Sequence, residues 1–154
     1  VVLSCTGASM PTGTQDRIER AEEIVGLATD LGLPLDSLYV DPLVIPIGVD
    51  PMAGGAFMDA VSTIRERFGD EIHITGGVSN ISFGLPARRI ISDVFLDLCV
   101  QAGLDSGIID PVADVHAALN PDREAEAYTL AKAMLTGEDA FGMQFIEAYR
   151  AGKL

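Results

Sequence analysis

Four short apolar segments, each followed by a loop and then a helical pattern, constrain the fold of this sequence most strongly. The segments are rich in β-branched residues, which is typical of buried strands, and the helical patterns repeat apolar residues every three or four positions. This order predicts a parallel sheet whose strands are joined by right-handed crossovers. The strands are predicted at residues 1–5, 38–40, 71–75 and 106–109. The helices are predicted at 15–31, 56–68, 86–102, 113–119, 121–135 and 140–149, with Thr14 and Asn120 as N-caps.

The sequence is too short for the whole barrel that this order favours. Short strands alternating with longer helices favour an α/β fold of the (β/α)8 TIM-barrel type, which typically needs about 250 residues. The chain has 154 residues and begins with Val1 rather than Met, so we expect a fragment or a processed chain. We therefore predict a single domain over residues 1–154 that covers about the last four β/α units, a carboxyl-terminal half-barrel without its amino-terminal half.

The composition excludes several classes of function. The net charge is −13, and such a surface repels nucleic acid phosphates and anionic membranes, so neither is an expected partner. No apolar run approaches the roughly 18 residues that cross a bilayer, and no leader pattern opens the sequence, so we expect a cytoplasmic protein. Cys5 and Cys99 lie in separate apolar elements, which predicts buried free thiols.

The stretch from Ile72 to Pro86 joins the third predicted strand to a helix through a loop of glycine and small polar residues. Glycine lets the backbone approach a ligand closely, and short polar side chains lose little entropy when they bind. Loops at the carboxyl ends of strands are where α/β folds place their ligands. The candidate binding residues of this loop are Gly76, Gly77, Ser79, Asn80 and Ser82.

Asn80 has the widest hydrogen-bonding capacity among these side chains. A carboxamide both donates and accepts, so it can follow a ligand nitrogen through a change of protonation. The alternative, a turn residue bonded to its own backbone, stays equally open from the sequence. Arg88 and Arg89 follow the loop, where they either meet an anionic ligand or partner or lie as solvated charges on a helix surface.

Asp41 and Asp110 occupy equivalent positions, each at the end of a predicted strand and each followed by proline. A carboxylate accepts two hydrogen bonds side by side, which suits a ligand edge with two adjacent donors, such as an aminopyrimidinone. The alternative for both residues is a cap on the turn that follows. Asp50, which also precedes proline but lies inside a long loop, is expected to form a turn only.

Other kinds of chemistry have little support in the sequence. His73 alternates with apolar neighbours and is expected to be a core histidine with satisfied hydrogen bonds, whereas His116 is expected in solvent. No set of His, Cys, Asp or Glu has the spacing of metal ligands, so no bound metal is expected. No motif supplies a strong nucleophile.

Residues 76–86, Gly-Gly-Val-Ser-Asn-Ile-Ser-Phe-Gly-Leu-Pro, resemble the signature of the methyltetrahydrofolate:corrinoid methyltransferases. This family belongs to the pterin-binding TIM barrels and includes the folate domain of cobalamin-dependent methionine synthase. Segments 38–43, 103–111 and 149–154 match the family in order and spacing, so the resemblance covers essentially the whole chain.

The resemblance implies a pterin pocket in the barrel mouth, with Asp41 at the pyrimidinone edge and Asn80 as the catalytic residue beside N5. The implied reaction of one-carbon metabolism moves a methyl group from N5 of methyltetrahydrofolate, or a related tetrahydropterin, to the cobalt of a corrinoid (cobalamin) protein. The nucleophile then comes from that partner, which accounts for its absence here. A homodimer is the implied assembly. The implied substrate-binding residues are Asp41, Gly76, Gly77, Ser79, Ser82 and Asp110.

Two alternatives stay open at this point. One is a corrinoid methyltransferase on the same scaffold that does not use folate, and the other is a truncated, non-catalytic pterin-binding module. The family places further pterin-contacting Asp and Asn residues in the amino-terminal half-barrel. The resemblance therefore predicts a pocket that lacks one wall in the 154-residue chain.

Overall fold

Three short parallel strands form the sheet in the part of the protein that the computed structural model describes, residues 2–3, 10–110, 112 and 114–154. They are β1 (Val2–Leu3), β2 (Tyr39–Asp41) and β3 (His73–Ile74), in that order across the sheet. Parallel pairing joins β1 to β2 and β2 to β3, with Val40 opposite Ile74 in the second pair. The predicted α/β fold with a parallel sheet is confirmed. Cys5, which was predicted to be a buried thiol, lies outside the described residues.

The fourth predicted strand, at residues 106–109, is not formed as a strand. An isolated parallel bridge joins Gly77 to Ile108, and the N–H of Ser106 also donates to the Ile74 carbonyl at 3.2 Å. The pairing is short because the Asp105 carboxylate accepts the N–H of Ile74 at 2.9 Å, in place of a backbone carbonyl. The segment still follows β3 in parallel, since the N–H of Ile108 donates to the Gly76 carbonyl at 2.9 Å.

Most α-helices of the described ranges lie close to their predicted positions. None of these helices combines the length and hydrophobicity that crossing a lipid bilayer requires. The α-helices are α1 (Thr14–Asp30), α2 (Ala53–Phe68), α3 (Arg88–Gln101), α4 (Val115–Leu119), α5 (Glu126–Leu135) and α6 (Met143–Arg150).

Several helix starts differ from the prediction for local conformational reasons. α3 begins at Arg88 rather than at Pro86, because Ala87 is left-handed with φ of 49°. α5 begins at residue 126 rather than 121, because Ala125 is still extended. The last helix begins at residue 143 rather than 140, because Phe141 has φ of 61° and interrupts the α-helical path.

The buried face of α3 illustrates how the helices cover the sheet. Ile91 and Val94 are buried as predicted, and Phe95 and Cys99 extend the same stripe. The apolar spacing in the sequence predicts Ile90 or Ile91, Val94, Leu98 and Val100 on the inward face of this helix. For Val100 the prediction is wrong, because the buried stripe leaves this side chain 44% exposed. Cys99 is a buried free thiol as predicted, and burial raises its pKa far above the usual range.

Candidate functional site

The carboxyl ends of β2, β3 and the bridged segment lie along one edge of the sheet, because the strands are parallel. Asp41 is the last residue of β2, and Asn80 and Asp110 follow the ends of β3 and of the bridged segment. Parallel α/β sheets bind ligands along this edge, outside the carboxyl ends of the strands. The fold therefore brings the predicted site residues to one side of the molecule.

Asp41 is the last residue of β2 and is only 4% exposed. Its Oδ1 accepts the N–H of Leu43 at 2.8 Å, so the structure shows the turn cap that the sequence left open as the alternative. Burial raises the pKa of this carboxyl, and the Leu43 hydrogen bond acts in the opposite direction. None of the described residues donates to Oδ2, so this buried carboxylate retains capacity for a ligand. Its role in binding stays a prediction.

Gly76 and Gly77 have distinct structural reasons to be glycine. A Cβ on Gly76 would lie 2.8 Å from Cζ of Phe57 and 3.3 Å from Cγ2 of Val44, so the buried side of the loop has no room for a side chain. A Cβ on Gly77 would lie 3.0 Å from Nδ2 of Asn80. Packing beneath the loop, and space for the Asn80 amide, therefore account for both glycines without a ligand. Backbone contact with a ligand stays a prediction.

Asn80 lies in a 3-10 turn, Val78–Ser82, and its side chain is exposed. The amide forms no hydrogen bond with the part of the chain that the structure describes. The alternative of a turn residue bonded to its own backbone is therefore not what the structure shows. Asn80 presents both a donor and an acceptor at the strand edge.

Ser82 and Arg88 hold the backbone of this turn. Ser82 is fully buried, and its hydroxyl lies 3.2 Å from the Ser79 carbonyl and 2.9 Å from the Ser92 hydroxyl. Arg88 donates from Nη2 to the same Ser79 carbonyl at 3.0 Å and from Nε to the Ser82 hydroxyl at 3.3 Å. The observed contacts of Ser82 are thus internal to the loop, and its contact with substrate stays a prediction. Sequence reasoning missed the loop-holding role of Arg88.

Asp110 is exposed, and its Oδ1 accepts the N–H of Val112 at 2.9 Å, which confirms a turn cap. The carboxylate also lines a cavity of about 490 Å³ beside the loop. This cavity lies between α3 and α4, and its polar walls include Ser79, Arg88 and Arg89. Asp110 and Ser79 are thereby brought to one surface, where their predicted binding roles stay predictions.

His73 lies at the opposite end of β3 from the candidate site, because it is the first residue of that strand. Its Nδ1 is 2.9 Å from Oδ2 of Asp105, and its ring stacks on Tyr39 with centroids 4.5 Å apart. The prediction of a satisfied histidine is confirmed, although the side chain is 37% exposed rather than in the core. His116 is exposed as predicted.

Arg17 is the residue at this edge that sequence reasoning overlooked. It is 1% exposed and donates to the carbonyls of Gly13 and Leu43, in the segments that follow β1 and β2. The signal was present in the sequence, because position 17 precedes Ala21 by one helical turn on the apolar face of α1. A charged residue in an apolar stripe marks a buried hydrogen-bonding role.

Together these features define a parallel α/β protein with a buried carboxylate and an exposed carboxamide at the carboxyl edge of its sheet. Within the described ranges, no group of three or more His, Cys, Asp or Glu side chains is arranged to hold a metal ion. A family described as pterin binding enzyme matches residues 8–110, a range that contains every candidate site residue. The chain belongs to this family of pterin-binding enzymes, as the resemblance in the loop implied.

Individual relatives carry the similarity beyond the family match. The chain is 30% identical over 154 residues to the methylcorrinoid:tetrahydrofolate methyltransferase of Eubacterium limosum. The matched region covers 100% of this chain and 53% of the relative. It is 34% identical over 116 residues to methionine synthase of Mycobacterium tuberculosis, and 31% identical over 116 residues to that of Mycobacterium leprae. Each of these matches covers 71% of this chain and 10% of the synthase. The chain thus spans about half of the first relative.

Proposed function

We propose that this protein, as part of a complete barrel, moves a methyl group from N5 of methyltetrahydrofolate, or a related tetrahydropterin, to the cobalt of a corrinoid protein. The observation that carries the proposal is that a buried Asp41 carboxylate and an exposed, unbonded Asn80 amide follow strands at the same edge of the sheet. Both belong to a chain of the pterin-binding family. Its similarity to a methylcorrinoid:tetrahydrofolate methyltransferase supports the choice of substrates.

Asp41 is proposed to bind the pyrimidinone edge of the pterin. Its Oδ1 is shared with the Leu43 N–H, and its Oδ2 has no donor among the described residues. A ring N–H and an adjacent amino group would satisfy the remaining acceptor capacity of both oxygens. Because burial disfavours the unpaired carboxylate, a ligand with two adjacent donors would be bound preferentially.

Asn80 is proposed as the catalytic residue beside N5. The corrinoid of the partner protein supplies the nucleophile that takes the methyl carbon, and the electron pair of the broken C–N5 bond stays on N5. A tertiary amine is a poor leaving group unless N5 is protonated or strongly hydrogen-bonded. The Asn80 amide donates to N5 or accepts from N5–H as charge develops, and one preorganised group of this kind contributes about 3–4 kcal/mol in the transition state.

The remaining predicted residues are proposed to complete the pocket around the pterin. The backbones of Gly76 and Gly77 and the hydroxyl of Ser79 would line it from the β3 side, and Asp110 from the bridged segment. Ser82 would act through the backbone of the turn, because its hydroxyl is buried among loop contacts.

Residues 1–154 are proposed to form one domain, the carboxyl-terminal half of a (β/α)8 barrel. Among the described residues β1 pairs only with β2, so its other edge is available to a further strand. Parallel sheets are almost always closed or covered on both faces, which favours continuation into a barrel. A homodimer is proposed on the family resemblance alone, and sedimentation analysis would measure it.

Calorimetry with methyltetrahydrofolate tests the function. It compares the 154-residue chain with a longer form that carries the additional β/α units of the relatives. We expect binding by the longer form, followed by methyl transfer to a reduced corrinoid protein that changes the corrinoid absorbance. Because the Eubacterium relative is named for transfer to tetrahydrofolate, the reverse reaction is assayed as well. Absence of binding by either form would refute the folate proposal, and binding without transfer in either direction would favour a non-catalytic module.

A further inference from the structure

Arg17 is a buried arginine whose hydrogen bonds all go to backbone carbonyls. It is 1% exposed, and no carboxylate of the described residues forms an ion pair with it. Its Nη1 donates to the Gly13 carbonyl at 2.8 Å, and its Nε and Nη2 donate to the Leu43 carbonyl at 3.4 and 3.3 Å. Burying a guanidinium is costly unless hydrogen bonds compensate, so its position calls for a specific reason.

Leu43 supplies that reason, because its backbone adopts a conformation that leucine rarely takes. Its φ is +71°, in the left-handed region that a side chain with a Cβ disfavours. Such a conformation persists only where the surroundings determine it from several sides. The Leu43 N–H is held by Oδ1 of Asp41, and the Leu43 carbonyl is held by Arg17.

The two contacts form one chain of hydrogen bonds that ends at Asp41, the residue proposed to bind the pterin. Arg17 donates to the carbonyl of Leu43, and the N–H of Leu43 donates to one oxygen of Asp41 within the turn at residues 41–43. We propose that Arg17 is a positioning residue that holds this turn so that the Asp41 carboxylate is presented to the ligand. The identity of the ligand rests on the proposed function, whereas the hold on the turn does not.

The planar guanidinium suits this task better than an ammonium group would. Its Nη1 reaches Gly13, which precedes α1, while Nε and Nη2 reach Leu43 after β2, so one side chain joins two loops. A lysine has a single point of donation on a flexible stem and cannot reproduce this fork. Arg17→Lys is therefore expected to retain the fold and to lose part of the hold on Leu43.

A double-mutant cycle between Arg17→Gln and Asp41→Asn tests the positioning role. If Arg17 acts through Asp41, Arg17→Gln alone weakens methyltetrahydrofolate binding about tenfold, the size expected for one misplaced hydrogen bond to a charged group. In the Asp41→Asn background the same substitution then weakens binding little further, because neighbours in one network are not additive. An unchanged affinity in Arg17→Gln, or fully additive losses, would overturn the proposal.

Arg65→Gln is the control for loss of an arginine that holds backbone carbonyls away from the site. Arg65 is partly buried and donates to the carbonyls of Gly69, Ile72 and Gly103. It also forms an ion pair with Asp105 at 3.0 Å, and it lies at the opposite end of the strands. It should lower the midpoint of thermal unfolding as Arg17→Gln does, and leave ligand affinity unchanged. Equal effects of both variants on affinity would reduce the role of Arg17 to stability.

Hydrogen exchange of the Leu43 amide tests the hold on the turn without any ligand. We expect this amide to exchange several-fold faster in Arg17→Gln and Arg17→Lys than in the wild type, and at the wild-type rate in Arg65→Gln. Unchanged exchange in both Arg17 variants would overturn the proposal even if the protein binds folate. Failure of the wild type to bind methyltetrahydrofolate would refute the proposed function alone, and exchange would still decide the role of Arg17. If Arg17→Gln does not fold, Arg17→Lys carries the comparison.

Discussion

Substitution of alanine for Asn80 is expected to slow methyl transfer while the fold and the affinity for substrate change little. The side chain is exposed and forms no hydrogen bond with the described residues, so its removal leaves no buried group unpaired. An exposed substitution of this kind changes the free energy of unfolding by about 0.5 kcal/mol or less. If the amide stabilises N5 in the transition state, its loss costs about 3–4 kcal/mol, so kcat falls roughly 10²–10³-fold.

The assay separates chemistry from binding in the complete-barrel form. Single-turnover transfer, followed through the corrinoid absorbance, gives the rate of the chemical step, and calorimetry gives the Kd for methyltetrahydrofolate. Asn120→Ala is the control for removal of an exposed carboxamide elsewhere in the chain. The Nδ2 of Asn120 donates to the His116 carbonyl at the end of α4. This control is expected to keep the wild-type rate.

Equal losses in rate and affinity for Asn80→Ala would make Asn80 a binding residue and refute its catalytic role. An unchanged rate would remove it from the mechanism altogether. A large drop in the unfolding midpoint would contradict the observation that the amide is unbonded. The expected pattern is therefore specific: a slow chemical step, a nearly unchanged Kd and an unchanged midpoint.

Three further predictions concern the packing of Gly76, the charge of Asp41 and the buried carboxylate of Asp97 on α3. Gly76→Ala should lower the free energy of unfolding by about 1–3 kcal/mol in urea titrations, because its Cβ would lie 2.8 Å from Phe57. Asp41→Asn should raise the unfolding midpoint near pH 7 and weaken pterin binding in calorimetry. Burial raises the pKa of Asp41 in the folded protein, so the wild type loses stability as the pH rises through that pKa, and the neutral amide avoids this loss. Burial acts to raise the pKa of Asp97, but hydrogen bonds from Arg123 and Tyr128 outweigh it and lower the pKa. The stability from Asp97 is present above the unfolded pKa near 4 and lost as pH falls, so Asp97→Asn should flatten the acid side of a stability–pH curve.

The repeating order of strands and helices could be predicted because it follows from the local spacing of apolar residues. Helices α1 and α2 lie where apolar residues recur at helical spacing, and β2 and β3 lie where short apolar segments end. The strand at 106–109 could not be judged locally, because it fails through the side chain of Asp105, which takes the N–H of Ile74. Whether a segment pairs depends on what its neighbour offers.

The candidate site was likewise predictable only in part. Asp41 and Asn80 were predicted because the ends of parallel strands must meet at one edge, and both do lie there. The reason for Gly76 was not predictable, because the side chain that crowds it, Phe57, is distant in sequence. Arg17 was likewise hidden, since its partner Leu43 is distant along the chain. The sequence therefore indicates which polar residues follow the strand ends better than it indicates which residues hold the loops between them.

The contacts within the turn support the proposed catalytic role for Asn80 rather than for its neighbours. Donors from Ser82 and Arg88 converge on the Ser79 carbonyl, so the backbone of Val78–Ser82 is fixed before any ligand arrives. A group on a fixed backbone stabilises developing charge without a cost of reorganisation at the moment of reaction. The Asn80 amide is exposed on this turn and keeps both its donor and its acceptor. The residues that hold the turn are therefore separate from the proposed catalytic amide. Loss of the holding contacts should impair binding and rate together, whereas loss of the amide should impair the rate alone.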